Sequence, residues 1–422
     1  MLDIKFIREN KDLIAEGARK KKITFNVDEI LAIDDERRAL MAVIEEKKAK
    51  QNEVSTKIVQ ATPEEKEVFL QEMKTLKEGL QIDEDKFKDI MLGWRKLMLR
   101  VPNIPDVSVP EGDSDAGNVE IRDWGVKPQF TFEPKNHIDL MLGLDMVDFE
   151  RGVKISGFRG YILKNDAVLL QFALQQFVLE ELRAKGFSLM ITPSMVNQET
   201  LLGTGYLPDG ADDLYVTQDN DYLSGTAEVP TMSYYSGEVI DKKNFPIKIL
   251  SYSPCFRREA GSHSKDTKGL KRVHEFYKFE QVILCEANHE ESVRLHEELT
   301  QNSEELLQKL NIPHHVVINC GGDLGQGQVK KYDIEAWSPA QKTYIETHSS
   351  SYFHDFQTRR LNIKYVDDDG SRKLAHSLNN TALAFPRIFV PLIENYQNED
   401  GSIRIPEVLQ KYMGGKTVIS VQ

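Results

Sequence analysis

The sequence predicts an α+β protein in two parts, an N-terminal antiparallel pair of long helices and a larger body that mixes strands with helices. Three observations carry this. Mostly apolar positions step by three and four without a break through Ile30, Ile33, Arg37, Leu40, Ile44, Lys47, Gln51, Val54 and Ile58, and again through Phe69, Met73, Leu76, Leu80, Asp83, Phe87, Ile90, Trp94, Leu97 and Val101, which is the spacing of a coiled-coil seam. Thr62-Pro63-Glu64-Glu65 between the two runs supplies an N-cap, a proline for the first helical turn and a capping-box glutamate, so the chain restarts a helix there and folds back. Beyond the proline-punctuated stretch Val101-Pro102-Asn103-Ile104-Pro105, strand and helix signals mix without regular βαβ alternation.

The elements follow in order. Each seam helix is expected to run ~30 residues, or ~45 Å at 1.5 Å per residue, too long for a globular core to swallow. Arg37, Lys47 and Gln51 put polar groups into the first seam, which weakens it as a tight multimer. Acidic turn residues from Pro110 to Asp115 read as a linker. The expected domains are 1–110 with the hairpin at about 27–101, a linker at 111–135, and a body at 136–422. An amphipathic helix is expected from Asp166 to Lys185, followed by Gly186, a strand from Ser188 to Thr192, and Pro193. Pro391, four residues after Arg387, predicts a kink or tight turn, because proline cannot donate to the carbonyl of Arg387.

Composition narrows the function. The chain has 422 residues and a net charge of −13, which argues against general nucleic-acid affinity; any RNA contact must be local, and the basic runs Arg19-Lys20-Lys21-Lys22 and Lys47-Lys48 with Lys50 offer two such places. Cys255, Cys285 and Cys320 are far apart and odd in number, so neither a disulfide framework nor a cysteine zinc site is expected. With no leader-like N-terminus and no long apolar run, a cytoplasmic, membrane-free protein is expected.

The chemistry concentrates in Cys255-Phe256-Arg257-Arg258-Glu259-Ala260-Gly261-Ser262 and Arg272-Val273-His274-Glu275-Phe276-Tyr277-Lys278-Phe279-Glu280. Read as two strands joined by a polar loop, they put Arg257 with Glu259 on one face of the first strand and Phe276 with Glu280 on one face of the second, so that a single surface carries all four. A guanidinium for phosphate or carboxylate, a flat ring for a base and two carboxylates suit a nucleotide beside an amino acid. Further along stand Ser224-Gly225-Thr226-Ala227-Glu228, where alternation would pair Thr226 with Glu228, then Tyr344-Ile345-Glu346-Thr347-His348-Ser349, and Ser377-Leu378-Asn379-Asn380-Thr381 running to Arg387.

These segments resemble the signature motifs of class II aminoacyl-tRNA synthetases, and the loop from Ala260 to Leu270 resembles the seryl-tRNA synthetase version. The resemblance runs from Met1 to about Met413. It implies a catalytic domain built on an antiparallel sheet flanked by helices, an N-terminal coiled coil that holds the long variable arm of tRNA(Ser), and ATP-dependent attachment of L-serine to that tRNA through seryl-adenylate. It further implies serine binding by Thr226, Glu228, Arg257, Glu280, Asn379 and Thr381. ATP would be bound by Arg257, bridging the substrate carboxylate and α-phosphate, by Glu259 and the Val273 backbone at the adenine edge, and by Phe276 stacked on the ring. Arg272, and Arg387 on the helix that follows the last strand, would hold the γ-phosphate end, with Glu346, Thr347, His348 and Ser349 completing the ATP site. Glu346 and Ser349 would hold Mg²⁺. Lys265, Lys268 and Lys271 would meet the tRNA acceptor end, and the helix and strand before Pro193 would form a homodimer interface. His348 replaces a serine usual in the family, as a structural filler or a tuner of the metal site. Charging of selenocysteine tRNA stays open. So do an activating enzyme that loads a carrier protein, an inactive RNA-binding paralogue, and an arm that binds only protein.

Overall fold

The computed structural model describes residues 1–262 and 268–421, with the backbone alone at Ser262. The chain divides into two compact units, one of residues 1–19 and 23–102 and the other of 20–22 and 103–422.

In the first unit, two short helices, α1 (Ile4–Glu9) and α2 (Lys11–Lys20), precede α3 (Val27–Gln60) and α4 (Pro63–Arg100). Both capping-box hydrogen bonds form between Thr62 and Glu65, with Pro63 in the first turn. Every seam position named above is buried or half-buried, whereas the positions between them from 41 to 60 are exposed. Gly93 lets the helices approach, since a Cβ there would lie 2.8 Å from Ile33 Cδ1.

Two of the polar seam residues, Arg37 and Lys47, are paired inside the hairpin. Lys47 Nζ donates to Asp83 at 2.6 Å and to the Gly79 carbonyl at 3.2 Å. Arg37 lies 5.3 Å from the Trp94 ring centroid and donates through Nε to Asp34 at 2.9 Å. Asp34, outside the apolar stripe, is 2 % exposed. It also accepts from Arg8 at 2.8 Å and Trp94 Nε1 at 3.1 Å. Burial pushes its carboxyl up, but the hydrogen bonds from Arg8 and Arg37 outweigh that, and the net shift is downward. A depressed carboxyl stabilises the fold above its unfolded value, and the contribution disappears as pH falls through the folded one. Asp34→Ala is expected to destabilise the hairpin by about 3 kcal/mol at neutral pH, because it strands partly buried cations. The difference from wild type should shrink in strong acid. Hydrogen exchange of α3 and α4 amides checks this.

The second unit is built on one eight-stranded sheet. In chain order its strands are β1 (Val119–Trp124), β2 (Ser188–Ile191), β3 (Ile247–Phe256), β4 (Glu275–Cys285), β5 (His314–Ile318), β6 (Lys330–Ser338), β7 (Thr343–His354) and β8 (His376–Phe385), arranged β1-β5-β6-β7-β8-β4-β3-β2. All neighbours are antiparallel except β2 and β3. The stretch read as a linker, 111–135, thus supplies the edge strand β1. Helices α5 (Asp166–Ala184), α6 (Glu228–Ser233), α7 (His289–Lys309) and α8 (Phe389–Asn395) flank the sheet. The main core gathers Leu170, Leu174 and Phe177 of α5, Leu295 and Leu299 of α7, and Ile283, Ile334, Leu378 and Leu383 of the sheet.

Strand alternation divides the central residues between two jobs. On one side, Gln281 and Asn380 meet α7: Asn302 donates to Gln281 at 2.9 Å and Ser303 to Asn380 at 2.8 Å. On the other, Glu280, Asn379 and Thr381 line a cleft. The buried polar network therefore fixes the backs of the strands that carry the cleft residues.

Candidate active site

The cleft lies within the second unit. Its wall contains Arg257, Glu259, Arg272, Val273, Phe276, Glu280, Glu346, Thr347, His348, Ser349, Asn379, Thr381 and Arg387. Two other expected residues, Thr226 and Glu228, sit just behind the wall and reach it through hydrogen bonds.

Three local expectations need correction. Arg257 and Glu259 are not on a strand: β3 ends at Phe256. The ladder is prolonged by one bond, from Arg257 N–H to the His274 carbonyl at 3.0 Å, and Glu259 takes a left-handed backbone with φ 55°. The two side chains share the cleft because the chain turns there, not by pleat alternation. Thr226 likewise lies in the turn before α6 and Glu228 is the first residue of that helix, so neither is on a strand. Arg387 lies in the turn ahead of α8, not on the helix.

That turn is the tight turn expected from Pro391. Pro386 O accepts from Phe389 at 2.9 Å and Arg387 O from Val390 at 3.1 Å. Pro391 is then the third residue of α8, where a helix has no internal partner for an N–H. Arg387 keeps its place at the cleft.

The charged groups are paired with one another. At one end, Arg257 packs 5.3 Å from the Phe276 ring centroid and donates through Nε to the Gly225 carbonyl at 3.2 Å. Gly225 permits this, since a Cβ would stand 3.3 Å from Arg257 Cγ. Arg272 donates to Glu259 at 3.1 Å, and Arg387 Nη1 stands 3.5 Å from Glu346 Oε1. Thr347 is an extra residue in the β6–β7 pairing: Ile334 faces His348 while Glu335 faces Glu346. Such a bulge shifts the alternation by one, which accounts for Glu346 and Ser349, three residues apart, both reaching the cleft. His348 is 1 % exposed, accepts or donates with Thr347 Oγ1 at 2.8 Å, and is pushed by burial down to about 3. A neutral, enclosed imidazole fits the structural-filler reading.

The deep end contains groups the sequence did not single out. Tyr206 Oη donates to Glu228 at 2.9 Å, and Gln357 Nε2 donates to the other Glu228 oxygen at 2.6 Å. Burial and the nearby Glu280 raise the Glu228 carboxyl. Lys278, between Phe276 and Glu280 on the cleft side of β4, pairs with Glu280 and donates to Thr226 Oγ1 at 2.8 Å. Period two from Phe276 to Glu280 would have found Lys278; nothing local would have found Gln357. Of the lysines expected at the acceptor end, Lys265 lies outside the described residues, Lys268 is exposed, and Lys271 is at the cleft wall.

Comparison with known proteins places this geometry. The family model for the seryl-tRNA synthetase N-terminal domain matches residues 1–105, and that for the tRNA synthetase class II core domain (G, H, P, S and T) matches 215–396. The serine–tRNA ligase of Deinococcus radiodurans is 42% identical over 420 residues, 99% of each chain. The chain belongs to the seryl-tRNA synthetase family. Its structure resembles the seryl-tRNA synthetase from Pyrococcus horikoshii complexed with ATP, with TM-score 0.92, 38% identity and 100% of both chains covered. It also resembles the cytoplasmic serine–tRNA ligase from Naegleria fowleri in complex with AMP, with TM-score 0.87, 32% identity and coverage of 100% and 99%. Membership spans both the arm and the seryl-tRNA synthetase cleft, so neither the carrier-loading nor the inactive reading has support.

Proposed function

We propose that the cleft activates L-serine with ATP, forming seryl-adenylate, and passes the seryl group to tRNA(Ser). One observation carries the residue-level reading. Guanidinium, phenyl and carboxylate groups from β4, β7, β8 and two turns converge on one cleft.

In this reading a serine carboxylate oxygen attacks the α-phosphorus of ATP and the bond to pyrophosphate breaks. The chain's task is to bring two anions together. Arg257 bridges the serine carboxylate and the α-phosphate; its planar fork suits that double contact. Phe276 stacks on adenine, with Glu259 and the Val273 backbone at the ring edge. Arg272 and Arg387 take the distal phosphates. Glu280, with Thr226 and Glu228 behind it and Asn379 and Thr381 beside it, receives the ammonium and hydroxyl of serine.

Glu346 and Ser349 offer only oxygen, and among the described residues no three His, Cys, Asp or Glu side chains converge as a metal cage. That donor set fits Mg²⁺ shared with substrate phosphates. When bound, Mg²⁺ would offset phosphate charge during attack. Arg387→Ala is expected to lower kcat/KM for ATP by about 10²-fold in pyrophosphate exchange, with the serine KM little changed. A loss below tenfold would remove Arg387 from the phosphate site.

The arm α3–α4 is read as the grip on the long variable arm of the tRNA, and the protein as a cytoplasmic homodimer. Among the described residues no helix is long and apolar enough to cross a membrane. Leu169 and Phe172 on α5 and Leu189 and Ile191 on β2 are exposed, which supports a subunit contact at the helix and strand before Pro193. Phe172→Asp is expected to yield monomers by light scattering; a persistent dimer would move the interface elsewhere. Pyrophosphate exchange with each of the twenty amino acids, followed by charging of total tRNA, tests the function as a whole. Exchange specific for an amino acid other than serine would overturn it.

A further inference from the structure

The deep end of the cleft holds two carboxylates, Glu228 and Glu280, both at least nine-tenths buried. A substrate with one ammonium cannot neutralise both. Lys278, 5 % exposed, is the fixed cation that answers the excess. Its Nζ pairs with Glu280 Oε2 and donates to Thr226 Oγ1 at 2.8 Å. Thr226 Oγ1 in turn accepts the Glu228 N–H at 3.2 Å and directs its own hydrogen to Glu280 Oε2 at 3.5 Å. The ring Lys278–Thr226–Glu280 is therefore closed, and Glu280 Oε2 is occupied by the chain itself. Tyr206 and Gln357 hold the two oxygens of Glu228. The other charged or titratable groups nearby are Arg257 and the buried Cys255 thiol, which interacts with Lys278.

We propose that Lys278 is a positioning residue that sets substrate class: by neutralising one of two buried carboxylates, it leaves the pocket room for a single ammonium and presents the free oxygen of Glu280 to a neutral hydroxyl. The counting is simple. Glu228 and Glu280 bring two negative charges, and Lys278 and Arg257 two positive ones. Zwitterionic serine enters without changing the balance. A substrate with a second ammonium in place of the hydroxyl, such as L-2,3-diaminopropanoate, would face Lys278 across a few ångströms in a buried site, where like charges cost several kcal/mol. Without Lys278 the two carboxylates repel, and the raised Glu228 carboxyl loses one of the groups that lowers it. This inference rests on the serine-pocket reading above.

The test is Lys278→Met in ATP–pyrophosphate exchange with L-serine and L-2,3-diaminopropanoate, alongside Lys278→Arg and Glu280→Gln. Lys278→Met is expected to raise the serine KM about tenfold or more, to leave the ATP KM within about twofold, and to shift selectivity toward the diamino acid by about 10²-fold, because the substrate's own ammonium replaces the missing one. Lys278→Arg, which keeps the charge, should retain serine selectivity. If Lys278→Met does not fold, Lys278→Gln carries the same expectations. An unchanged selectivity ratio in a folded, uncharged variant overturns the inference. So does a parallel rise in the KM of serine and ATP. Glu280→Gln separates the two levels: loss of serine use there with no effect at Lys278 sinks this inference alone, and no effect at either position sinks the pocket itself.

Discussion

Replacing Glu280 with alanine is expected to abolish serine-dependent pyrophosphate exchange, with kcat/KM for serine falling by at least about 10³-fold. Two losses add. The carboxylate that awaits the substrate hydroxyl disappears, and the buried Lys278 ammonium loses its ion-pair partner. A site built to hydrogen-bond a hydroxyl rejects the analogue lacking it by ~10⁴–10⁵, because its polar groups would be left unpaired. The discrimination between serine and alanine should therefore collapse along with the rate. Exchange assays with both amino acids, on protein whose melting curve confirms folding, check this. Full retained activity would refute the pocket assignment.

Deleting Ile30 to Leu97 should separate the two halves of the reaction. The second unit contains every cleft residue and has its own core. In the hairpin, Ile33 of α3 lies beside Gly93 of α4, so the ends left by the deletion start close together. Adenylate formation is expected to survive within a few-fold. Charging of tRNA should fall by about 10³-fold or more, the order by which salt alone weakens a surface that contacts several phosphates. Charging of tRNA that survives the deletion would leave the arm as a protein-binding coiled coil.

How much was legible in the sequence differs by region, for physical reasons. The hairpin was readable residue by residue, because a two-helix seam is a local periodicity and the capping box is a local code. Asp34 escaped because its burial depends on Arg8 and Trp94, 26 and 60 positions away. In the cleft the residue types were legible from motifs, but their backbone was not. Arg257 and Glu259 look like alternate strand positions, yet the strand stops at Phe256 and a left-handed residue does the aiming. Glu346 and Ser349 violate simple alternation and work through a bulge whose cause lies in the pairing with β6. Tyr206 and Gln357, 151 positions apart in the chain, meet at one carboxylate, a juxtaposition only the tertiary fold creates.

The ion pairs within the hairpin have a consequence for how its reach can change. Lys47 with Asp83 and Arg37 with Asp34 and Trp94 act as two rivets at different heights along the same rod. Adding one residue to either helix between them would pull one rivet out of line and rotate the apolar stripe by about 100°. Only matched additions to both helices, in units near seven residues, keep rivets and stripe aligned. The tip can thus be moved outward only in jumps of about 10 Å, a ratchet that would make arm length in this family quantised rather than continuous.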